Sequence, residues 1–254
     1  MEIHPLSPQV TAFIQPEGGS SVGLIETSDG YVVIDTTSRE ADIRDFLSAV
    51  DVTPADVCLV LITHSHSDHT SGIPVFDCPV LSHKLTRQRI VRRGTERAQK
   101  QIPTEVFEDR KEFQIGGVKI EFIHAGGHTP GSSVVWLPER KILFSGDLIF
   151  SDIYPFLNVA NIPDLMEALE WLLSFDVRII VPGHGPLCGM EEVARQLNYL
   201  QTSWERTREH LAHGHSLEEA MADPGYPKYS DRGYEQLHTW NIKAMYRQLK
   251  KLSG

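Results

Sequence analysis

The sequence predicts a mixed α/β fold in which sheets and helices form layers and many strand pairs are antiparallel. Three observations point there. Short runs rich in branched and aromatic residues come in two batches, with helical periodicity between and after them. Glycine-bearing turns within each batch join neighbouring runs closely. One run, Val57–Thr63, is almost wholly apolar and reads as a strand buried on both faces, as in a sheet covered by helices. Such an order favours packed layers over a strict alternation of parallel strands and helices.

In the first batch Val10–Gln15, Val22–Glu26 and Tyr31–Asp35 are strands, separated by turns at Gly18-Gly19 and Asp29-Gly30. The period then changes. Ile43, Phe46, Leu47 and Val50 fall at i, i+3, i+4 and i+7, one face of a helix, and Thr37 with Glu40 has capping-box spacing at its start. Val57–Thr63 and Cys78–Ser82 follow as strands, and the basic stretch after them reads as helical. In the second batch Phe113–Ile115 and Val118–Ile123 flank Gly116-Gly117, and Ser133–Leu137 and Lys141–Phe144 flank Pro138-Glu139-Arg140. Leu165, Leu169 and Leu172 mark a helix begun near Asn161 and Pro163, and Arg178–Val181 is one more strand.

Beyond Gly189 the pattern is helical. Val193, Leu197, Leu200, Trp204 and Leu211 form an apolar stripe closed by Gly214. Tyr234–Leu252 is a final helix with Ile242, Met245, Leu249 and Leu252 on one side. Residues 1–189 are therefore expected to form the catalytic core and residues 190–254 a helical extension packed on it, because two such helices have little core of their own. Trp204, Tyr234 and Trp240 are pocket or packing aromatics in this reading. Helix packing between two copies, a homo-oligomer, would satisfy the same stripes.

The formal net charge of −10 opposes nonspecific binding to nucleic acid or an anionic membrane. Val57–Ile62 is the longest uninterrupted apolar run, far short of the ~20 residues that span a bilayer. The first ten residues have neither a basic start nor an apolar centre, so no secretory signal is visible. Cys58, Cys78 and Cys188 lie far apart with no Cys-x-x-Cys pair, a usage that suits a reducing cytoplasm. The expected partner is a small-molecule substrate.

The chemistry concentrates in histidines. His64, His66, Asp68 and His69 follow the buried strand directly. In extended chain His64 and His66 project to one side and can grip one metal ion; Asp68 continues that alternation, His69 breaks it, and the pair Asp68/His69 can serve a second ion. Buried unpaired, four such groups would cost several kcal/mol, which argues against a purely structural role. His128, Asp147 and His184 each sit beside glycine just after a strand-like run, where rigid scaffolds present functional groups.

The pattern His64-x-His66-x-Asp68-His69, followed in order by His128, Asp147 and His184, resembles the metallo-β-lactamase-fold hydrolase superfamily, over roughly residues 10–190. The resemblance implies a four-layer αββα sandwich with the metals at one edge. It implies a first metal held by His64, His66 and His128, a second held by Asp68, His69 and His184, and Asp147 bridging both. Imidazole and carboxylate ligands suit two zinc ions, and also iron or manganese. Two ions ~3.5–4 Å apart can share a water, lower its pKa and so generate the attacking hydroxide, which Asp68 is placed to orient. Class B β-lactamases carry cysteine or serine where this chain has Asp147, and aspartate there resembles glyoxalase II, lactonase and phosphodiesterase members. The expected substrate is a small ester, lactone or thioester. Phosphodiester hydrolysis, weak β-lactam turnover and a metal-bound scaffold or sensor without turnover are the alternatives.

Other residues carry weaker signals. Tyr154 follows Asp147 closely and is a candidate to assist a developing oxyanion, with a wall of the pocket as the simpler role. His83 and His124 are candidate hydrogen-bond partners of the ligands, with packing the default. His210, His213 and His215 end a helix, where the dipole favours them without any metal. Arg89, Arg93 and Arg97, four apart, form a charged helical face: a solvated surface, or a guide for an anionic substrate.

Overall fold

The computed structural model describes residues 2–232 and 235–253. Its first half is β1 (Glu2–Ser7), β2 (Val10–Ile14), β3 (Ser21–Thr27), β4 (Gly30–Ile34), α1 (Glu40–Ala49), β5 (Val57–Ile62), α2 (Ser67–Thr70), β6 (Val80–His83), α3 (Lys84–Arg92), α4 (Glu96–Gln99) and β7 (Glu105–Phe107). The strands form one sheet in chain order, antiparallel from β1 to β4 and parallel from β4 to β7. The second half adds β8 (Arg110–Ile115), β9 (Val118–His124), β10 (Ser133–Leu137), β11 (Ile142–Phe150), α5 (Ile162–Leu172) and β12 (Ile179–His184). They form a second sheet of order β12-β11-β10-β9-β8, antiparallel except for the β11–β12 pair. Helices α6 (Met190–Ala212), α7 (Leu217–Met221) and α8 (Glu235–Leu252) follow.

The period of two in the strands sorts their side chains into layers. Val32, Ile34, Leu59 and Leu61 join Ile120, Phe122, Val135 and Phe144 between the two sheets. Val33, Val60 and Ile62, one residue out of phase, pack with Ile43, Phe46 and Leu47 of α1 on the outer face. The apolar run of β5 is thus buried on both faces, by a helix on one side and the second sheet on the other. The outer face of the second sheet (Val134, Trp136, Leu143) is covered by α5, α6 and α8 through Leu165, Leu169, Val193, Leu197, Leu200 and Met245. This is the four-layer αββα sandwich. The sheets approach closely enough that a Cβ at Gly23 would strike the Phe144 ring.

Several local expectations need correction. β1 and β7 were not foreseen: β1 is an exposed edge strand containing Pro5, and β7 has only three residues. The Thr37/Glu40 capping box does not form; Thr37 has φ +68°, its hydroxyl donates to Arg39 O, and Arg39 is the residue that precedes the helix. The basic helix is broken, with Gly94 at φ +65° between α3 and α4. Trp204 packs against the α5–α6–α8 core and Trp240 is exposed, while Tyr234 lies outside the described residues.

The extension is tied to the second sheet by polar contacts as well. Gln196 of α6 accepts from Phe150 N at 2.9 Å and donates to Leu148 O at 2.6 Å. Tyr229 donates to Phe150 O at 2.8 Å. Asn241 of α8 donates to Pro155 O at 2.8 Å. A chain ending at residue 189 would keep α5 but lose α6 and α8, exposing the apolar surface they cover, so it is expected to be insoluble or badly destabilised. A soluble 1–189 fragment with a cooperative thermal transition like that of the full chain would show that the extension is dispensable for folding.

Candidate metal centre

The ligand-type side chains meet at one edge of the sandwich, beyond the strand ends. β5 delivers His64 and His66. The extended alternation stops there, because residues 67–70 form the helical turn α2, whose first-turn geometry carries Asp68 and His69 together to a neighbouring point. Asp68 therefore does not share a side with His64 and His66, as simple alternation had suggested. His128 comes from the β9–β10 loop, Asp147 from β11 and His184 from the end of β12. In β11 the register shifts between Phe144 and Gly146, and Gly146 adopts φ +49°. A Cβ there would lie 2.6 Å from Thr63 Oγ1, so this backbone passes against the end of β5 only as glycine.

The distances define two groups of ligands. His64, His66, His128 and Asp147 form one, and Asp68, His69 and His184 the other. Asp147 Oδ2 is 3.4 Å from His64 Nε2, 3.9 Å from His66 Nδ1 and 3.3 Å from His128 Nε2. Its Oδ1 is 3.0 Å from His69 Nε2 and 3.3 Å from His184 Nε2. Asp68 Oδ2 lies 3.2 Å from His184 Nε2 and 3.6 Å from His69 Nε2. Nitrogen ligands ~2.0–2.1 Å from a tetrahedral ion stand about 3.3 Å apart, so these spacings match the edges of such a shell.

Buried polar atoms test the fit. His64 Nε2, His69 Nε2 and Asp147 Oδ1 are buried without a hydrogen-bond partner, although each points at the others. Atoms in that condition cost free energy unless a cation joins them. The opposite ring nitrogens of His69, His184 and His64 are committed elsewhere, whereas His128 Nδ1 is buried without a partner. His69 Nδ1 is 2.8 Å from Asp35 Oδ2, and His184 Nδ1 is 2.8 Å from Gly18 O. His64 Nδ1 is 3.1 Å from Thr63 Oγ1, which itself donates to Asp35 Oδ2 at 2.7 Å. These contacts commit Nδ1 as a donor away from the site and turn Nε2 toward it, the nitrogen that would face a metal ion. The residues present therefore fit a metal ion. Burial raises the pKa of Asp147, but the His184, His64, His69 and His128 imidazoles outweigh it and hold the carboxyl well below the usual range.

Asp35 is the residue that sequence reasoning missed. It ends β4 beside the parallel β5, has φ +59°, and its carboxylate accepts from Thr63 N at 2.8 Å besides orienting His69 and, through Thr63, His64. The available signal was an acidic residue at the end of an apolar strand. Tyr154 is placed differently from expectation. It is buried in the α6–α8 core among Tyr199, Tyr229 and His238, its hydroxyl accepts from Tyr229 N, and it is not among the residues lining the cavity over the ligands. His83 and His124 stack on each other at 3.8 Å and contact no ligand through a hydrogen bond found among the described residues. His210 is 2.8 Å from Asp223 and 2.9 Å from His215, far along α6 from the ligand groups.

A cavity of about 660 Å³ opens over the site. Asp68, Asp147, His66 and His184 line it, with Phe150, Ile153, Phe156 and Leu237 as apolar lining and Arg93 and Arg97 as cationic lining. The Phe150 ring stacks on His184 at 5.1 Å.

Residues 16–184 match the family model of the metallo-β-lactamase superfamily, and the chain belongs to that superfamily. It is 26% identical over 196 residues to the β-lactamase-like protein 2 homolog of Caenorhabditis elegans, covering 75% of this chain and 64% of that protein, so the match spans less than two thirds of the relative. It is also 26% identical over 220 residues to the acyl-coenzyme A thioesterase MBLAC2 of Bos taurus, covering 72% of this chain and 79% of the other. The solved metallo-β-lactamase from Pontibacter korlensis superposes with a TM-score of 0.70 at 24% identity, over 79% of this chain and 98% of that one. No helix among the described residues is long and apolar enough to cross a membrane.

Two predictions follow from this geometry. A Cβ at Gly183 would fall directly against Asp147 Oδ1. Gly183→Ala is expected to displace that carboxylate and to lower bound metal per chain; full metal content by elemental analysis would show that Asp147 is free to shift. The second concerns His83. Burial, with His124 and Lys84 close by, pushes its imidazole down to about 4 from 6.5. Between those values the unfolded chain binds the extra proton, so stability present above 6.5 is lost as pH falls. His83→Asn keeps an acceptor for Leu85 N, which His83 Nδ1 now supplies at 3.3 Å. Its Tm relative to the unsubstituted chain should rise between about pH 7.5 and about pH 5. A pH-independent difference in thermal unfolding would contradict this.

Proposed function

We propose that the protein is a dinuclear hydrolase of a small ester, lactone or thioester, with a thioester the first choice. The observation that carries the dinuclear reading is the division of Asp147: Oδ2 faces His64, His66 and His128, while Oδ1 faces His69 and His184. His64, His66 and His128 would hold one ion, Asp68, His69 and His184 the second, and Asp147 both. The donor set suits zinc, with iron or manganese also compatible. When bound, such a pair supplies Lewis acidity for the substrate carbonyl and lowers the pKa of an attacking water.

The chain's own residues do the rest. Asp68 is the ligand carboxylate open to the cavity, with a third of its side chain exposed, so it can accept a proton from the attacking water and orient it. Asp35 holds His69 and, through Thr63, His64 in the tautomers the site needs. Phe150, Ile153, Phe156 and Leu237 exclude water and accept an apolar acyl group. In the net reaction the water oxygen bonds to the carbonyl carbon, the bond to the leaving sulfur or oxygen breaks, and the leaving group takes a proton. The thioester preference is supported by the relative named as an acyl-coenzyme A thioesterase. Aspartate at position 147, in place of cysteine or serine, weighs against β-lactams.

The test is side-by-side turnover of a nitrophenyl ester, a lactone, an acyl thioester, a β-lactam and bis-nitrophenyl phosphate by metal-loaded protein. Losing a metal ligand should cost more than losing the residue that orients one, so Asp147→Asn is expected to lower the thioester rate at least about 100-fold. Elemental analysis should find up to two ions per chain. Undiminished turnover after chelation, or a dominant phosphodiesterase rate, would overturn the reading.

A further inference from the structure

Two unlike sets of side chains line the cavity over the ligands. One is the apolar set of Phe150, Ile153, Phe156 and Leu237; the other is cationic. The basic segment supplies the second set because its helix breaks. α3 ends at Arg92, Gly94 turns with φ +65°, and α4 begins at Glu96. Across that break Arg93 and Arg97 reach the cavity, whereas Arg87, Arg89, Arg92 and Lys100 do not line it.

The two guanidiniums are held in place without being neutralised. Arg93 donates to Ser65 O, the carbonyl between the motif histidines. Arg97 donates to Ser71 Oγ at 2.9 Å and to Ser38 O at 3.3 Å. No ion pair to either is found among the described residues, although most other arginines in contact with acidic groups form one. Arg93 is partly buried, with the Asp68 carboxylate as the nearest opposite charge, and Arg97 is exposed at the cavity mouth; the donors each has left match the fork geometry of a carboxylate or phosphate. In a chain of net charge −10, two guanidiniums without an ion pair at the cavity mouth offer an anion a local attraction.

We propose that the substrate carries an anionic group, a carboxylate or a phosphate, on the leaving side of its scissile bond, and that Arg93 and Arg97 clamp it while the acyl part lies on the apolar lining. The inference rests on the hydrolase reading and specifies its substrate. The same clamp would retain the anionic thiol or alcohol after cleavage, until its departure frees the arginines.

The test uses the metal-loaded full chain and butyryl thioesters of three thiols: neutral N-acetylcysteamine, 3-mercaptopropionate with its carboxylate, and phosphopantetheine with its phosphate. The two charged arms tell which anion the arginines hold. In the unsubstituted chain kcat/KM should favour at least one charged thioester over the neutral one. In Arg97→Gln that ratio should fall at least about ten-fold, chiefly through KM. Arg93→Gln should lower it too, with partial return in Arg93→Lys; because Arg93 also holds Ser65 O, Arg97→Gln decides if the Arg93 variants fold poorly. Arg87→Gln removes equal charge outside the cavity and should move the ratio less. No preference for either charged thioester, an unchanged ratio in Arg97→Gln, or an equal fall in Arg87→Gln overturns the clamp. If the unsubstituted chain hydrolyses none of the three, the thioester reading of the function fails instead. Calorimetric titration with inorganic phosphate then decides the clamp: weaker binding by Arg97→Gln supports it, and equal binding overturns it.

Discussion

The burial of one carboxylate among imidazoles governs this molecule. Asp147 sits in the middle of a strand that is buried along its whole length, and ionised groups removed from water cost several kcal/mol each unless charge and hydrogen bonds compensate them. Compensation has to come from several directions at once, and no single element can supply it. β5, α2, the β9–β10 loop and β12 each contribute imidazoles, and β4 adds the Asp35 carboxylate that orients two of them. The two sheets must therefore meet with their ligand-bearing ends in register. Close approach at Gly23 and Phe144 between the sheets, and at Gly146 and Thr63 beside the site, is how the packing achieves that.

The same demand explains why the C-terminal helices contact the site strand through polar groups. Apolar packing alone sets the distance of α6 from the second sheet but tolerates sliding. Gln196 bonds to both Leu148 O and Phe150 N, fixing the backbone just beyond Asp147, and Phe150 in turn stacks on His184. Glu192 adds a contact with Tyr229 at 2.5 Å, and Tyr229 also reaches Phe150 O. A helix outside the family-matched region thus braces a strand within it.

The layered fold, and the seven side chains that the structure brings together at one edge, were legible because both depend on local pattern. Alternation and helical period identify faces, and a run such as His64–His69 after an apolar strand has few structural explanations. Legibility ended where a long-range neighbour decided the outcome. Asp35 looked like an ordinary strand end, since its partners Thr63 and His69 are brought to it only by parallel pairing of β4 with β5. Tyr154 looked catalytic by its nearness in sequence to Asp147, but the chain turns it into the aromatic cluster under α6 and α8. The four-residue spacing of Arg89, Arg93 and Arg97 suggested one helical face; Gly94 divides that face and sends two of the three to the cavity.

That division has an evolutionary reading. The candidate metal ligands come from strand ends and tight loops, where almost any change disturbs several buried charges together. Much of the remaining cavity lining comes from elsewhere: the α3–α4 break, the end of β11 with the segment after it, and the start of α8. Substitutions at Arg97, Phe156 or Leu237 can alter which molecule is accepted without touching the candidate ligands. Selection on this scaffold can therefore reshape the cavity while the cluster at its floor stays fixed, so descendants of a single ancestor can diverge in what they accept and still share one centre.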